Sequence, residues 1–216
     1  MDNISESDRS KPAYLPGDGG GNSFNKREFH RLLRVDHAGE YGAVRIYQGQ
    51  IKAAKSKMED EEYQQGLTHM LEQEKSHLDW FDKALPRYRT RPTALMPVWD
   101  RMGFGLGWIT AKLGKSSAMA CTVAVETEIE KHYQRQIERL DACLEADHKQ
   151  WDDKAWGLTK DEVKALKQKI IQFREEELEH HDYAHAKGAQ QAPLYPVLKT
   201  LIGMGARMAI AVSKKI

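Results

Sequence analysis

The chain has 216 residues, of which 40% are hydrophobic and 30% charged, and its formal net charge is +1. This composition excludes a disordered or fibrous chain, and the near-zero net charge argues against nucleic acid as a partner, because a nucleic-acid binder is normally basic. Two cysteines cannot form a disulfide framework, so we expect a reducing compartment.

The first 25 residues are predicted to form a disordered polar tail, and residues 26–216 a single domain. The tail has no apolar core of the kind that secretory signals carry. It also contains Asp2, Glu6 and Asp8, which are atypical of an organellar transit peptide.

Apolar residues then recur at three- and four-residue steps, which predicts four long helices at 26–55, 60–85, 116–146 and 160–187. Thr159 followed by Glu162 predicts a capping box at the start of the fourth helix, and Gly188 is a stop signal after its end. No window alternates as a strand would, so the sequence predicts an all-α fold.

Two further segments, 93–113 and 193–213, are apolar and rich in glycine and methionine. Charged residues such as Asp100 and Lys112 in the first and Lys199 and Arg207 in the second argue against membrane-spanning helices. Two interpretations stay open, namely helices of the protein core or helices that lie in a membrane interface. A four-helix bundle is complete without these segments, which favours the interface.

Polar residues occupy core positions in the apolar stripes of all four long helices. Glu-x-x-His motifs lie inside the second and fourth stripes, and single glutamates lie inside the first and third. A third Glu-x-x-His, Glu145/His148, lies in a polar run and is interpreted as solvated. The six core-register residues are Glu40, Glu74, His77, Glu126, Glu177 and His180. His180 is preferred over His181 because His77 stands at the same three-residue step from its glutamate.

Burying four carboxylates together is very costly unless cations compensate them. Two divalent cations would neutralise the cluster, and carboxylate and imidazole ligands suit iron or manganese. One glutamate from each of two helices with Glu-x-x-His from each of the other two is the ligand pattern of ferritin-like dimetal bundles. The competing interpretation is that both Glu-x-x-His motifs are ordinary core ion pairs. We assign Glu74 and Glu177 as bridging ligands, and Glu40 and Glu126 as terminal ones.

The strings RVDHAGEYGA (34–43), EQEKSHL (72–78) and REEELEHHD (174–182) closely resemble the Coq7/Clk-1 family of demethoxyubiquinone hydroxylases, and the match runs from about Arg31 to the C-terminus. The resemblance implies a ferritin-like four-helix bundle with two additional apolar, membrane-interfacial helices. It also implies a carboxylate-bridged di-iron centre whose ligands are the same six residues.

The resemblance further implies a monooxygenase that hydroxylates the ring of demethoxyubiquinol in ubiquinone biosynthesis, with O2 as co-substrate and an external reductant. The implied partners are a membrane-embedded quinol with an isoprenoid tail, the membrane surface, and either a second copy of the chain or other quinone-biosynthesis proteins. The expected location is peripheral, on the cytoplasmic face of the cell membrane.

Three further residues have two open interpretations each. Tyr133 is either a proton or electron relay or a packed aromatic residue. Arg31 and Arg207 are either phosphate contacts for NADH as the reductant, or solvated or lipid-facing charges.

Two other functions compete with the hydroxylase. One is another ferritin-like dimetal protein, such as an oxidase, a peroxide scavenger or an iron store. The other is a metal-free helical scaffold on a membrane surface.

Overall fold

The computed structural model describes residues 26–59, 61–146 and 158–215. The predicted tail at 1–25 and His148 of the Glu145/His148 motif lie outside the described residues. The described parts form six α-helices and contain no strand, which confirms the all-α prediction. The helices are α1 (Lys26–Ser56), α2 (Glu61–Arg87), α3 (Met96–Leu113), α4 (Lys115–Ala146), α5 (Lys160–Ala186) and α6 (Tyr195–Ser213), with a 3-10 turn at Ala189–Gln191.

Helices α1, α2, α4 and α5 form the bundle, in which α1 packs against α2 and α4 against α5. The outer helices repeat one arrangement, since α3 follows α2 and packs on α1, while α6 follows α5 and packs on α4. The described residues therefore form two similar three-helix halves. This confirms the predicted bundle with two additional helices.

The start of α5 shows how a local signal sets the register of the bundle. The hydroxyl of Thr159 accepts a hydrogen bond from the backbone N–H of Glu162, whose carboxylate accepts one from the backbone of Thr159, as the predicted capping box requires. From this start, every residue of the predicted apolar stripe is buried. The stripe comprises Val163, Leu166, Ile170, Phe173, Glu177, His180 and Ala184.

Glycines allow α3 to approach α1 very closely. A Cβ atom at Gly107 would lie 2.0 Å from the carbonyl oxygen of Ile46, and one at Gly49 would lie 2.2 Å from that of Phe104. The glycine-rich sequence of the two outer helices predicts that Gly105 and Gly205 serve close packing as well. That prediction is wrong, because an added Cβ at either would meet nothing within 4 Å.

The outer surfaces of α3 and α6 are apolar and exposed. The exposed large hydrophobic residues are Val98, Met102, Trp108, Ile109 and Leu113 on α3, and Val197, Leu201, Met204 and Met208 on α6. Of the described helices, α6 alone is long and apolar enough to cross a membrane by length and composition. This differs from the sequence-based argument that Lys199 and Arg207 disfavour a spanning helix.

The α1–α3 contact can be tested by adding single methyl groups. We predict that Gly107→Ala lowers the free energy of unfolding by about 1–3 kcal/mol, because the added Cβ overlaps the backbone of Ile46. The matched control, Gly105→Ala, faces open space and should gain up to about 1 kcal/mol from helix propensity. Thermal and chemical unfolding measure both, and equal effects of the two variants would contradict the close approach.

Candidate metal centre

The six core-register residues converge at the centre of the bundle. Glu40 comes from α1, Glu126 from α4, and the two Glu-x-x-His motifs from α2 and α5. All six residues are at most 2% exposed, as the stripe positions predicted. His181 instead lies on the outer side of α5, where it contacts Asp182.

The six residues form two overlapping groups of potential ligands. The first is Glu40, Glu74, His77 and Glu177, and the second is Glu74, Glu126, Glu177 and His180. Within each group the ligand atoms lie within 4.8 Å of one another, so each group could hold one cation. Glu74 and Glu177 belong to both groups, which is the placement that bridging carboxylates require.

Both imidazoles turn the same nitrogen toward the carboxylates. Nδ1 of His77 lies 3.2 Å from an oxygen of Glu40 and 3.3 Å from one of Glu177. Nδ1 of His180 lies 3.1 Å from an oxygen of Glu74 and 3.4 Å from one of Glu177. Nδ1 is therefore the candidate ligand atom of each histidine, and Nε2 points away from the cluster.

Several of these buried polar atoms have no well-directed hydrogen bond within the described residues. They are both carboxylate oxygens of Glu74, both of Glu177, one of Glu126 and Nδ1 of His180. Buried polar atoms are almost always paired, so a concentration of unpaired donors and acceptors on one point needs a cause. Cations bound between these atoms would supply the missing partners. The residues therefore fit a dimetal centre.

Without cations, the ionisable side chains of the cluster have strongly shifted pKa values. Burial, together with the charge of Glu177, raises the pKa of the Glu74 and Glu126 carboxyl groups well above the usual value. Burial also acts to raise the pKa of Glu177, but the adjacent imidazoles of His180 and His77 outweigh it and lower that pKa to about 2. Burial disfavours the charged form of His77, but Glu177 and Glu40 outweigh it and raise its pKa to about 12.

Two tyrosines, one on α1 and one on α4, each donate a hydrogen bond to the single glutamate of the other helix. Tyr133 on α4 donates its hydroxyl hydrogen bond to Glu40, and Tyr47 on α1 donates to Glu126 at 2.8 Å. Burial and the charge of Glu40 raise the pKa of Tyr133 well above 10. A relay role for Tyr133 stays a prediction, whereas its hydrogen bond to a candidate ligand is a structural fact.

The role of Tyr47 is not identified by the sequence analysis, because this residue has the position of an ordinary member of the apolar stripe of α1. The sequence carries a signal for it, since Tyr47 follows Glu40 by two helical turns just as Tyr133 follows Glu126. Asp36 lies one helical turn before Glu40, a spacing that predicts that it orients a ligand. Its oxygens instead accept hydrogen bonds from His132 at 2.8 Å and Gln136 at 2.9 Å. Neither partner is a candidate ligand, so the prediction of a direct contact with a ligand is wrong.

The two predicted phosphate contacts lie apart from the cluster. Arg31 pairs with Glu28 and lines a basic surface pocket, which is formed by Lys26, Arg27, His30, Arg31, Arg34, Lys214 and Lys215. Arg207 pairs with the buried Glu128 at 2.7 Å and so ties α6 to α4. Phosphate binding by either arginine stays a prediction.

An apolar cavity of about 360 Å³ lies between α1, α3, α4 and α6. Its walls include Gly39 and Val125, the residues that precede Glu40 and Glu126 in the chain, but none of the six cluster residues. Met102 on α3 and Leu201 on α6 also line the cavity, and both are more than half exposed, so it opens at the outer apolar surface. An apolar cavity beside the two outer helices is therefore present, whereas the predicted opening of such a channel to the metal cluster stays a prediction.

Comparison with known proteins identifies relatives over most of the chain. The sequence model of the family described as "Ubiquinone biosynthesis protein COQ7" matches residues 27–213. The "3-demethoxyubiquinol 3-hydroxylase" of Rhodospirillum rubrum is 45% identical over 86% of this chain and 77% of its own. The human "NADPH-dependent 3-demethoxyubiquinone 3-hydroxylase, mitochondrial" has the same identity and coverage. The yeast "5-demethoxyubiquinone hydroxylase, mitochondrial" is 36% identical over the same shares.

The pKa shifts predict that cation binding releases protons. In the metal-free cluster the raised pKa values of Glu74, Glu126 and His77 favour their protonated forms, and ligands must lose their protons to bind a metal. Affinity for Fe(II) or Mn(II) should therefore fall as the pH is lowered from 8 to 6. Calorimetry in buffers of different ionisation enthalpy measures the protons released, and binding with no proton release would contradict the assignment.

Proposed function

The chain belongs to the COQ7 family of ubiquinone biosynthesis proteins, and we propose that it is a di-iron monooxygenase that hydroxylates the ring of demethoxyubiquinol. The observation that carries this proposal is the buried six-residue cluster, in a bundle that also encloses an apolar cavity lined by the chain neighbours of Glu40 and Glu126. A hydroxylase of a lipid-soluble ring needs both features, since the cluster can hold the oxidising metals and the cavity can admit the ring.

In this proposal two irons share the cluster. Glu74 and Glu177 would hold both, Glu40 and His77 would complete one position, and Glu126 and His180 would complete the other. Two ferrous ions held by these residues would supply electrons to O2, so that one oxygen atom could be added to an electron-rich ring. The unpaired buried oxygens of Glu74 and Glu177 support this ligand set against a metal-free scaffold.

The surrounding residues prepare the cluster for that reaction. Tyr133 and Tyr47 fix the orientation of Glu40 and Glu126 by hydrogen bonds, so these carboxylates are held before substrate arrives. The apolar cavity wall excludes water from the space that the ring would occupy. The hydroxyl of Tyr133 also holds a proton beside Glu40, and this hydroxyl could deliver the proton during turnover.

The isoprenoid tail of the substrate accounts for the two outer helices. Each CH₂ group gains about 0.8 kcal/mol from an apolar environment, so a long tail stays in the lipid phase while the ring enters the cavity. The exposed apolar surfaces of α3 and α6 would rest in the interface of the cell membrane on its cytoplasmic side. Contacts along α6 support a peripheral rather than a spanning position, because Gly203 and Arg207 both lie against Glu128 of α4.

Turnover requires an external reductant, and we propose a nicotinamide nucleotide. The human relative is named as NADPH-dependent, and our sequence-based expectation is NADH. The basic pocket around Arg31 offers cationic groups for a phosphate, whereas Arg207 already binds Glu128. Arg31 is therefore better supported as a phosphate contact than Arg207. A second copy of the chain or another quinone-biosynthesis protein would complete the proposed set of partners.

Product analysis tests the reaction. Iron-loaded protein, reduced anaerobically and then given a demethoxyquinol and ¹⁸O₂, should form a hydroxylated product that carries one ¹⁸O atom. Glu177→Ala removes a ligand that both metal positions share, so this variant should remain helical but form no product. Product without ¹⁸O, or equal yield from Glu177→Ala, would contradict the proposed function.

Flotation with liposomes tests the membrane surface. Trp108→Asp on α3 and Met204→Asp on α6 each place a charge in the exposed apolar surface, so the variants should float less than the parent protein. Thr68→Asp, exposed on α2, introduces the same charge on a helix that is not part of this surface and should float normally. If both apolar-surface variants float and turn over long-tailed substrate as well as short-tailed substrate, the docking proposal is wrong.

A further inference from the structure

The two histidines of the cluster have different partners on their outward nitrogens. Nε2 of His77 is hydrogen bonded to the carboxylate of Glu176. Nε2 of His180 is hydrogen bonded to the side-chain oxygen of Gln73 at 2.9 Å. Because Nδ1 faces the candidate metal position in both residues, Nε2 carries the proton and donates in both hydrogen bonds.

Gln73 and Glu176 occupy equivalent places in the two halves of the bundle. Each immediately precedes the glutamate of a Glu-x-x-His motif, and each reaches across to the histidine of the opposite helix. The two halves of the bundle therefore have the same backbone arrangement at this point, but the histidines have chemically different partners. One histidine donates to an anion, and the other donates to a neutral amide.

This difference acts on the metal through the imidazole. A carboxylate partner draws the Nε2 proton toward itself, which makes the ring a stronger electron donor at Nδ1 than an amide partner does. Glu176 also adds a negative charge on the side of His77. Gln172 donates a hydrogen bond to Glu176 at 2.8 Å and so holds its carboxylate in place.

We propose that Glu176 is a positioning residue that makes the two metal positions unequal. Through His77 it strengthens the position formed by Glu40, Glu74, His77 and Glu177, while Gln73 leaves the position that contains Glu126 and His180 the weaker one. The first iron to bind enters the His77 position, and the His180 position loads second and exchanges its iron more readily. This inference rests on the proposed dimetal site.

Anaerobic titration with Fe(II) tests the inference in the full chain. Replacing Glu176 with glutamine removes the carboxylate partner, and affinity for the first equivalent of iron should fall by about tenfold to a hundredfold. The control is Glu175→Gln, which removes the same charge from an exposed neighbouring position on α5 and should leave that affinity unchanged. Equal affinities of the two variants would overturn the proposal.

Gln73→Glu provides a second test that does not depend on loss of a contact. It gives both histidines a carboxylate partner, so affinity for the second equivalent of iron should rise. The readout is the Mössbauer spectrum after one equivalent of ⁵⁷Fe(II) followed by one of natural-abundance iron. The label should occupy one environment in the parent protein and spread over two in Gln73→Glu and Glu176→Gln.

The outcomes separate this inference from the proposed function. A label that spreads over both environments in the parent protein would overturn the inference and leave the dimetal centre intact. A parent protein that binds no iron would instead overturn the proposed function itself.

Discussion

Four carboxylates buried within one helical core are the constraint on which the rest of this structure depends. An isolated buried carboxylate is costly, and four together repel one another unless positive charge lies between them. Within the part of the chain that the structure describes, the ion pairs of these carboxylates are with the two histidines, which leave oxygens of Glu74 and Glu177 without well-directed partners. Metal cations satisfy both the charge and the geometry, whereas protons on Glu74 and Glu126 satisfy only the charge.

The repeated architecture encloses an apolar cavity between the outer helices and the bundle that holds this cluster. In each half of the chain, two bundle helices supply ligands and the third helix packs outside, where α3 and α6 enclose the apolar cavity. The same repeat allows the two halves to diverge at single residues. Gln73 and Glu176 show such a divergence beside the histidines, and this divergence is the basis of the proposed inequality of the two metal positions.

The sequence predicted the helices and the six candidate ligands because burial on a helix has a strong period, and a charged residue within that period is conspicuous. It could not predict contacts that depend on how helices pair. Tyr47 has the position of an ordinary core aromatic, and its bond to Glu126 follows from the crossing of α1 and α4. Glu176 lies in a run of three glutamates, so only the facing His77 distinguishes it from its neighbours. Asp36 was misjudged for the same reason, since its partners lie on α4.

The most direct test of the central claim is iron K-edge absorption spectroscopy on the iron-loaded protein, together with its iron content. The account predicts two irons per chain and an iron–iron scattering vector at about 3.5–4 Å, the usual separation in two-metal sites. That vector should disappear in Glu177→Ala, because this residue is shared by both groups of ligands. One iron per chain, or two irons with no iron–iron vector in the parent protein, would contradict a centre bridged by Glu74 and Glu177.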